Sequence, residues 1–513
     1  MILDRSWDKK NKKFIISYID KQGRRQFFQK YLHHIKTYEY DDNGKYDTWN
    51  NRKCNVVYKD TQTYDPNEFD LLEYMYELPD DLKAQLYAQN FPRLYTFDIE
   101  TEYDKTFPDP AKAEHKVTAI SLVGPDMSCI VYGLKPMSEE SIELFRKRYL
   151  DWIENNDFAR KTRGNREIKV LYQYFKTEEE MLEHFFTVIL PKVPCIAGWN
   201  SIPFDWRYLV NRIIKLFGRN RAYNMIRKSS PTGEIQNYTW ADKAGTRYSV
   251  PGPKHTIILD YQAIVEKYDY VLRPYESYKL EWVAEHAVNG HKIEYEGDLQ
   301  YLYEHDYEWY YFYNAIDSLL TLLIHYKLKP LESPCAVSSL TLVSLLDAFG
   351  QVALTTANVF YEFYNDGKHV VWDYDAVERV KIPYEGAFCG CVTGRWEYCV
   401  CYDFKSLYPM QVQTCNLSFE NFLQKTQKNN IAGLPDINVP WSEEELEQFK
   451  KDKNYFVSLD NHVYKNDKDY AFKRLQHRSI ENRDVFKYTG QKIEAELITK
   501  IDELIEKRKN EAA

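Results

Sequence analysis

Hydrophobic and polar positions alternate most regularly between residues 93 and 134. RLYTFDIETEYD (93–104), VTAISLV (117–123) and SCIVYGL (128–134) each read as a strand, and together as a three-strand meander. The period then becomes helical. TEEEMLEHFFTVIL (177–190) is amphipathic, with Thr177 at the N-cap and Glu180 in the capping-box position. CIAGWN (195–200) reads as a short buried strand ending in a turn, and FDWRYLVNRIIKLFG (204–218) as a helix stopped by Gly218. Residues 232–257 read as a hairpin and 304–329 as a helix ending before Pro330. This order predicts a mixed α/β layered domain. Upstream, FIISYID and NVVYKD are strand-like runs among polar turns. Downstream, ESPCAV (332–337) punctuates the chain, and the apolar stretch 338–360 reads as one or two buried helices. A second strand-rich region starts near 384, followed by a helix from 406 and a hairpin turning at Asp460-Asn461. Residues 490–511 read as a charged amphipathic helix.

The chain has 513 residues, which suggests about three or four domains. Aromatics at 16%, including 44 tyrosines, exclude a disordered chain. Lys and Arg total 68 against 77 Asp and Glu, so a wholesale basic surface is excluded while local basic grooves remain open. Nine irregularly spaced cysteines argue against a disulfide framework and for a reducing compartment. The N-terminal MILDRSWDKKNKK lacks the apolar core of a signal peptide, and no apolar run of about 18 residues could span a bilayer. The expectation is a soluble intracellular protein with no membrane partner.

The candidate chemistry lies in carboxylates. Asp98 and Glu100 are two apart on a strand, so both point to one face. Two acids side by side repel unless a cation sits between them. Asp205 follows a turn out of a buried strand. Tyr313 and Asp317 are four apart on a helix and share a face. Any one of these acids alone reads as a solvated surface residue. Together they could converge into an oxygen-rich cluster of the kind that holds paired Mg²⁺ or Mn²⁺ ions for phosphodiester cleavage.

TFDIE, AGWNSIPFD and YNAID, in that order, resemble the three exonuclease motifs of family B DNA polymerases. SYKLEWVAEH (277–286) supports the match, which is closest to the enzymes of T-even-like tailed phages. The resemblance implies a ribonuclease-H-like 3′–5′ proofreading exonuclease. It makes Asp98, Glu100, Asp205 and Asp317 ligands of two Mg²⁺ or Mn²⁺ ions and gives Tyr313 the attacking water to orient. Asn200 and Phe204 would shape a single-stranded 3′ end. VCYDFKSLYPMQVQTCNLS (400–418) resembles the first polymerase motif. That implies a metal ligand in Asp403 and nucleotide (dNTP) contacts from Phe404, Ser406, Leu407 and Tyr408. Met410 stands where the family usually has Ser. YEGAF (384–388) resembles a template-contacting element, which assigns Tyr384 and Gly386 to DNA. Arg508 matches a basic residue of the first fingers helix.

The implied architecture is a mixed α+β, multidomain chain. An exonuclease domain (93–330) is inserted between two parts of an N-terminal domain (1–92 and 331–376). A partial palm (377–466) and the start of the fingers (467–513) follow. A fingers lysine motif and a second polymerase carboxylate are not found after Asp403. Synthesis is therefore expected only with a second polypeptide, from a naturally split gene or lost by truncation, and through that chain a sliding clamp. By the same resemblance the protein works on primer-template DNA in the cytoplasm of an infected bacterium. A stand-alone 3′–5′ nuclease and a non-catalytic DNA-binding scaffold are the alternatives. Cys389-x-Cys391 and Cys399-x-Cys401 have the wrong spacing for a structural zinc, and no zinc is expected. The basic runs 146–149, 159–169 and 212–221 read mostly as solvated faces.

Overall fold

A computed structural model describes residues 1–372 except 104–106, 243, 270, 271 and 273. Further on it describes 390, 393–395, 397, 400, 407–427, 437–458 and 461–476. Contacts divide the chain into two compact units, Met1–Leu32 with Met75–Leu354, and His33–Tyr74 with Thr355–Ala513. Strands β1 (Ile2–Asp8), β2 (Lys13–Ile19) and β3 (Arg25–Tyr31) form an antiparallel sheet in the first unit. Strands β4 (His34–Tyr40), β5 (Tyr46–Thr48) and β6 (Lys53–Asp60) belong to the second. Helices α1 (Glu68–Tyr76) and α2 (Asp80–Tyr87) lead to β7.

The expected meander is present. β7 (Leu94–Thr101), β8 (Val117–Val123) and β9 (Cys129–Gly133) pair antiparallel. Helices α3 (Glu139–Asn155) and α4 (Asp157–Arg163) precede β10 (Val170–Tyr174), which joins β9 in parallel. The expected helix over 177–190 starts as predicted, with the Thr177 side chain accepting from the Glu180 N–H. It does not run through as one α-helix. α5 (Glu178–His184) passes into a π-turn over Phe185–Ile189 and a 3₁₀ turn over Leu190–Lys192, where Pro191 has no N–H to continue the ladder.

β11 (Cys195–Gly198) pairs in parallel with β7. The helix predicted from 204 opens with a π-turn over Ile202–Trp206, in which Trp206 N–H reaches back to Ser201 O at 2.7 Å; Pro203 sits in its first turn, where no N–H is needed. It continues as α6 (Arg207–Phe217) and ends at Gly218 with φ 76°. α7 (Arg219–Ser229) leads to the predicted hairpin, β12 (Ile235–Ala241) with β13 (Arg247–Pro253). The next strand, β14 (Ile257–Asp260), was not anticipated. It lies parallel to β11 and completes the sheet order β10-β9-β8-β7-β11-β14.

Helices α8 (Tyr261–Tyr268), α9 (Leu280–Val288) and α10 (Leu299–His305) precede α11 (Tyr307–Leu328). The helix expected over 304–329 is thus broken at Asp306. Its carboxylate caps α11 by accepting from Trp309 N–H at 3.0 Å. ESPCAV lies inside α12 (Glu332–Thr341), and α13 (Gln351–Asn365) follows a 3₁₀ turn at Asp347–Phe349.

The sheet of the first unit carries an apolar core on each face. α3, α9 and α11 supply one, while α5, α6, α7 and the hairpin supply the other. β7 alternates accordingly, with Phe97 and Ile99 packed into the α6 side. The loop between β7 and β8 is pinned to α6 from one helical face. Tyr208 exchanges hydrogen bonds with His115, and Asn211 donates to Pro110 O. Arg212 donates to Ala113 O and Glu114 O and pairs with Glu178, which also accepts from Val117 N–H at 2.7 Å.

In the second unit, β15 (Lys368–His369) joins the sheet ordered β15-β5-β6-β4. Further elements are α14 (Leu407–Thr414), β16 (Phe422–Leu423), β17 (Lys425–Gln427), β18 (Ile437–Val439), α15 (Glu443–Lys451), β19 (Tyr455–Val457) and β20 (Val463–Lys465). β19 and β20 form the predicted hairpin, although Asp460 of its turn lies outside the described residues. Two fully buried asparagines tie these pieces together. Asn416 Nδ2 donates to Asn466 Oδ1 and Lys468 O, and Asn421 Nδ2 to Asn416 O and Lys465 O.

The Arg212–Glu178 pair is 7% and 4% exposed. Arg212→Ala leaves the Glu178 charge buried, and the expected loss is about 3–5 kcal/mol, read as a lowered urea midpoint. Arg212→Met with Glu178→Gln keeps an acceptor for Val117 N–H and should lose clearly less.

Candidate active site

A polar seam sets α11 against β7 and β8. Thr96 Oγ1 donates to Ser318 O at 2.8 Å, and Ser121 Oγ to Asn314 O at 2.8 Å. Ser121 and Ser318 hydroxyls meet at 2.7 Å, and Thr118 and Tyr310 at 2.6 Å. These small, hydrogen-bonded side chains let the helix lie close to the strands, and of the seam's Asn314 only the Oδ1 is left without a partner. Asn314, fully buried, donates to Asp98 Oδ2 at 2.8 Å.

The seam gathers the predicted acids. Asp98 and Glu100 occupy alternate positions of β7 on the face that α11 covers, opposite Ser121 and Ala119 of β8, and a bulge follows between Glu100 and Thr101. Asp317 comes from α11, 4% exposed. One carboxylate oxygen from each of Asp98, Glu100 and Asp317 lies within 4.8 Å of the others. At that separation like charges repel by about 3–4 kcal/mol per pair at an effective dielectric near 20. Asp317 Oδ1 is buried without a hydrogen-bond partner.

Asp205 approaches from the opposite helical layer, 4% exposed, on the π-turn that follows β11. It stands outside the 4.8 Å set but close enough to feel the Asp98 charge. Its turn is tightly shaped. Gly198 ends β11 where a Cβ would fall 2.8 Å from Phe97 O, so no larger residue fits. Asn200 is left-handed at φ 57°, and Ser201 Oγ donates to Leu259 O at 2.9 Å. Asp260, at the end of β14, accepts from the Asn200 backbone and is raised by burial to about 6. Phe204 lies on the same turn with its ring 5.2 Å from Phe107, which is 78% exposed.

Among the described residues Lys292 is the cation at this cluster, and sequence reasoning missed it. Nζ donates to Asp317 Oδ2 and, at 3.1 Å, to Tyr313 OH. Lys292 sits in a loop without period or motif, so nothing in the sequence singled it out. Burial alone would lower its pKa. Asp317, Asp98 and Glu100 outweigh that and hold it above the usual lysine value. Tyr313 is buried by α11 and by an edge-on contact with Tyr295 at 5.3 Å, and burial among the acids raises its phenol.

All four carboxyls lie above their ordinary range. Burial raises Asp98 to about 8, with Asp317 adding and Lys292 and Asn314 opposing. Burial and then the Asp98 charge raise Glu100 and Asp205. Burial raises Asp317 against the pull of Lys292 and the Tyr313 hydroxyl. The donor set suits a divalent cation: clustered carboxylates in excess over the one lysine that touches them among the described residues, with a buried oxygen left unpaired.

Leu407 and Tyr408 open α14 in the second unit, 42% and 78% exposed. Asp403, Phe404, Ser406, Tyr384, Gly386, Arg508 and the CxC cysteines lie outside the described residues. In the run 159–169 the arginines bond their own unit: Arg160 to Asp157, Arg163 to Glu154, and Arg166 to Thr162 O and Pro125 O. Among the described residues no helix is long and apolar enough to cross a membrane.

Residues 34–283 match the family described as DNA polymerase family B, exonuclease domain. Asp98, Glu100 and Asp205 therefore lie within the stretch that matches an exonuclease domain of that family, while Lys292, Tyr313 and Asp317 lie beyond its end. Over 338 residues the chain is 25% identical to the DNA-directed DNA polymerase of Escherichia phage RB69, covering 64% of this chain and 35% of that one. Over 349 residues it is 27% identical to the DNA-directed DNA polymerase of Enterobacteria phage T4, covering 65% and 36%. A DNA polymerase catalytic subunit of Equine herpesvirus 1 (strain Ab4p) is 29% identical over 208 residues, covering 39% and 16%. The chain is thus a family B DNA polymerase relative of the T4-like phage type, corresponding to the N-terminal portion of those enzymes. The matches span about a third of the phage polymerases' length.

The raised carboxyls make the metal-free fold pH-dependent. Asp98 titrates near 3.9 when unfolded and near 8 when folded, so the folded state holds the extra proton between those values. Without divalent metal, thermal stability should fall as pH rises from about 5 to 8.5. Asp98→Asn should flatten that decline, and added Mg²⁺ or Mn²⁺ should reverse it in the wild type. A melting temperature that rises with pH in EDTA would contradict the assignment.

Proposed function

We propose that the chain is a 3′–5′ exonuclease acting on single-stranded DNA ends, within a replicative family B polymerase. The observation that carries this reading is the unpaired Asp317 oxygen among converging carboxylates. Asp98, Glu100, Asp205 and Asp317 would hold two divalent cations, Mg²⁺ or Mn²⁺. Bound there, such ions supply an activated water and stabilise the leaving oxygen. The chain's own groups do the rest. Tyr313 keeps its proton and orients the water through its hydroxyl. Lys292 holds Asp317 and Tyr313 in place and offsets part of the negative charge that an incoming phosphate meets. Phe204 and Phe107 offer ring faces for the terminal base, and Asn200 shapes the turn beneath them.

The sheet, with three antiparallel strands extended by parallel ones, supports a ribonuclease-H-like reading. We place the exonuclease domain at 93–330, parts of an N-terminal domain at 1–92 and 331–376, a partial palm at 377–466 and the start of the fingers at 467–513. In the second site Asp403 would hold metal beside Tyr408, and Phe404, Ser406, Leu407 and Arg508 would meet a dNTP. Tyr384 and Gly386 would meet primer-template DNA. Synthesis would need a further carboxylate beside Asp403.

The test is single-turnover trimming of an oligonucleotide with an unpaired 3′ end. Wild type should trim with Mg²⁺ or Mn²⁺. Asp98→Ala with Glu100→Ala should not. Tyr313→Phe should lose about 10²–10⁴-fold, less than the loss of two ligands. Undiminished trimming by the double variant would remove this site from the reaction.

A further inference from the structure

Lys292 reaches the acids from the loop joining α9 to α10, a segment with no ladder to fix it. Its course is nevertheless closely held. Asn289 ends α9 in the left-handed region at φ 49°, and Gly290 N–H returns to Ala284 O at 3.1 Å. A Cβ at Gly290 would meet Leu320 Cδ2 of α11 at 2.7 Å, so the loop lies directly on the helix that carries Asp317. Asn156 Nδ2 donates to Val288 O and Asn289 O, both at 3.1 Å. These contacts fix the start of the loop but stop short of Lys292.

The last hold comes from Glu281, in the first turn of α9. Its Oε2 accepts the Lys292 backbone N–H at 2.8 Å, and its Oε1 lies 3.6 Å from His291 Nδ1. One carboxylate thus lies beside His291 and holds the backbone of the next residue, whose ammonium touches Asp317 and Tyr313. An acid at a helix N-terminus also favours the helix dipole, which alone would be a purely local role. The bond to Lys292 N–H goes beyond that role, because it spans 11 residues and ends at the site.

We propose that Glu281 is a positioning residue of the exonuclease site, gripping the loop so that the Lys292 ammonium is delivered to Asp317 and Tyr313. The proposal rests on the exonuclease reading for its effect on rate, but not for its effect on Lys292. Glu281 touches neither substrate nor metal ligand. Its side chain is 43% exposed, so its replacement should disturb the loop and leave the core intact.

Two measurements on the full chain decide it. The first is acetylation of Lys292 by an amine-reactive ester in metal-free protein, read by peptide mass spectrometry. Glu281→Ala should raise Lys292 labelling several-fold while other lysines stay unchanged, and Glu281→Gln, which keeps an acceptor, should restore protection. The second is single-turnover trimming with Mg²⁺. Glu281→Ala should slow it by about 10- to 100-fold with oligonucleotide affinity unchanged, the range for partners that orient a metal site from outside. Glu281→Gln should recover most of the rate. In a Lys292→Met background, Glu281→Ala should have no further effect. Unchanged labelling, or losses that simply add, would overturn the proposal. If labelling responds while the wild type trims no oligonucleotide, the exonuclease reading fails and the grip on Lys292 stands.

Discussion

Everything around the site answers one electrostatic constraint: carboxylates on β7 and α11 are held close enough to repel. A strand and a helix that carried such charges would drift apart unless something else bound them. The hydroxyl seam between α11 and the β7–β8 pair does that binding. Thr96, Thr118, Ser121, Tyr310 and Ser318 bond across it, and Asn314 extends it to Asp98 itself. The surrounding apolar side chains of α11 add the non-directional part, at roughly 1.5–3 kcal/mol for each large one buried. The seam adds register, which burial alone does not provide.

The site draws on separate parts of the fold. β7 lies centrally in the sheet, α11 covers one face, and the π-turn before α6 brings Asp205 from the other. No single element carries the set. The carboxyls are consequently shielded from bulk water on several sides, which is why burial is the first cause of every raised pKa among them. A cation is the natural counterpart of such a group, and Lys292 supplies part of that charge.

Much of this was legible in the residues. Alternation places Asp98 and Glu100 on one face of a strand, and helical spacing places Tyr313 with Asp317, because both periods are local properties of the backbone. The meander, the hairpin and the capped start of α5 followed for the same reason. The π-turns did not, since a single i→i−5 bond leaves no period of its own in the sequence. β14 was hidden because its short apolar run adjoins the hairpin. Lys292 and Glu281 were hidden more deeply. Their partnership is a loop amide meeting a helix carboxylate, and no periodicity announces it. Asn314 read as one more polar position on a helix, although it is wholly buried.

The composition of the seam has a further consequence. Hydroxyl side chains at a helix–sheet contact are short, directional and intolerant of added volume. A single methylene at Ser121 or Ser318 would lift α11 from the strands and carry Asp317 away from Asp98, without altering any charged group. The residues that do the chemistry are thus tuned at a distance by residues that have none. The loops that meet the outside, by contrast, lie beyond this rail. Their lengths and side chains can vary while the spacing of Asp98 from Asp317 holds, the α9–α10 loop excepted, since its Lys292 reaches the acids.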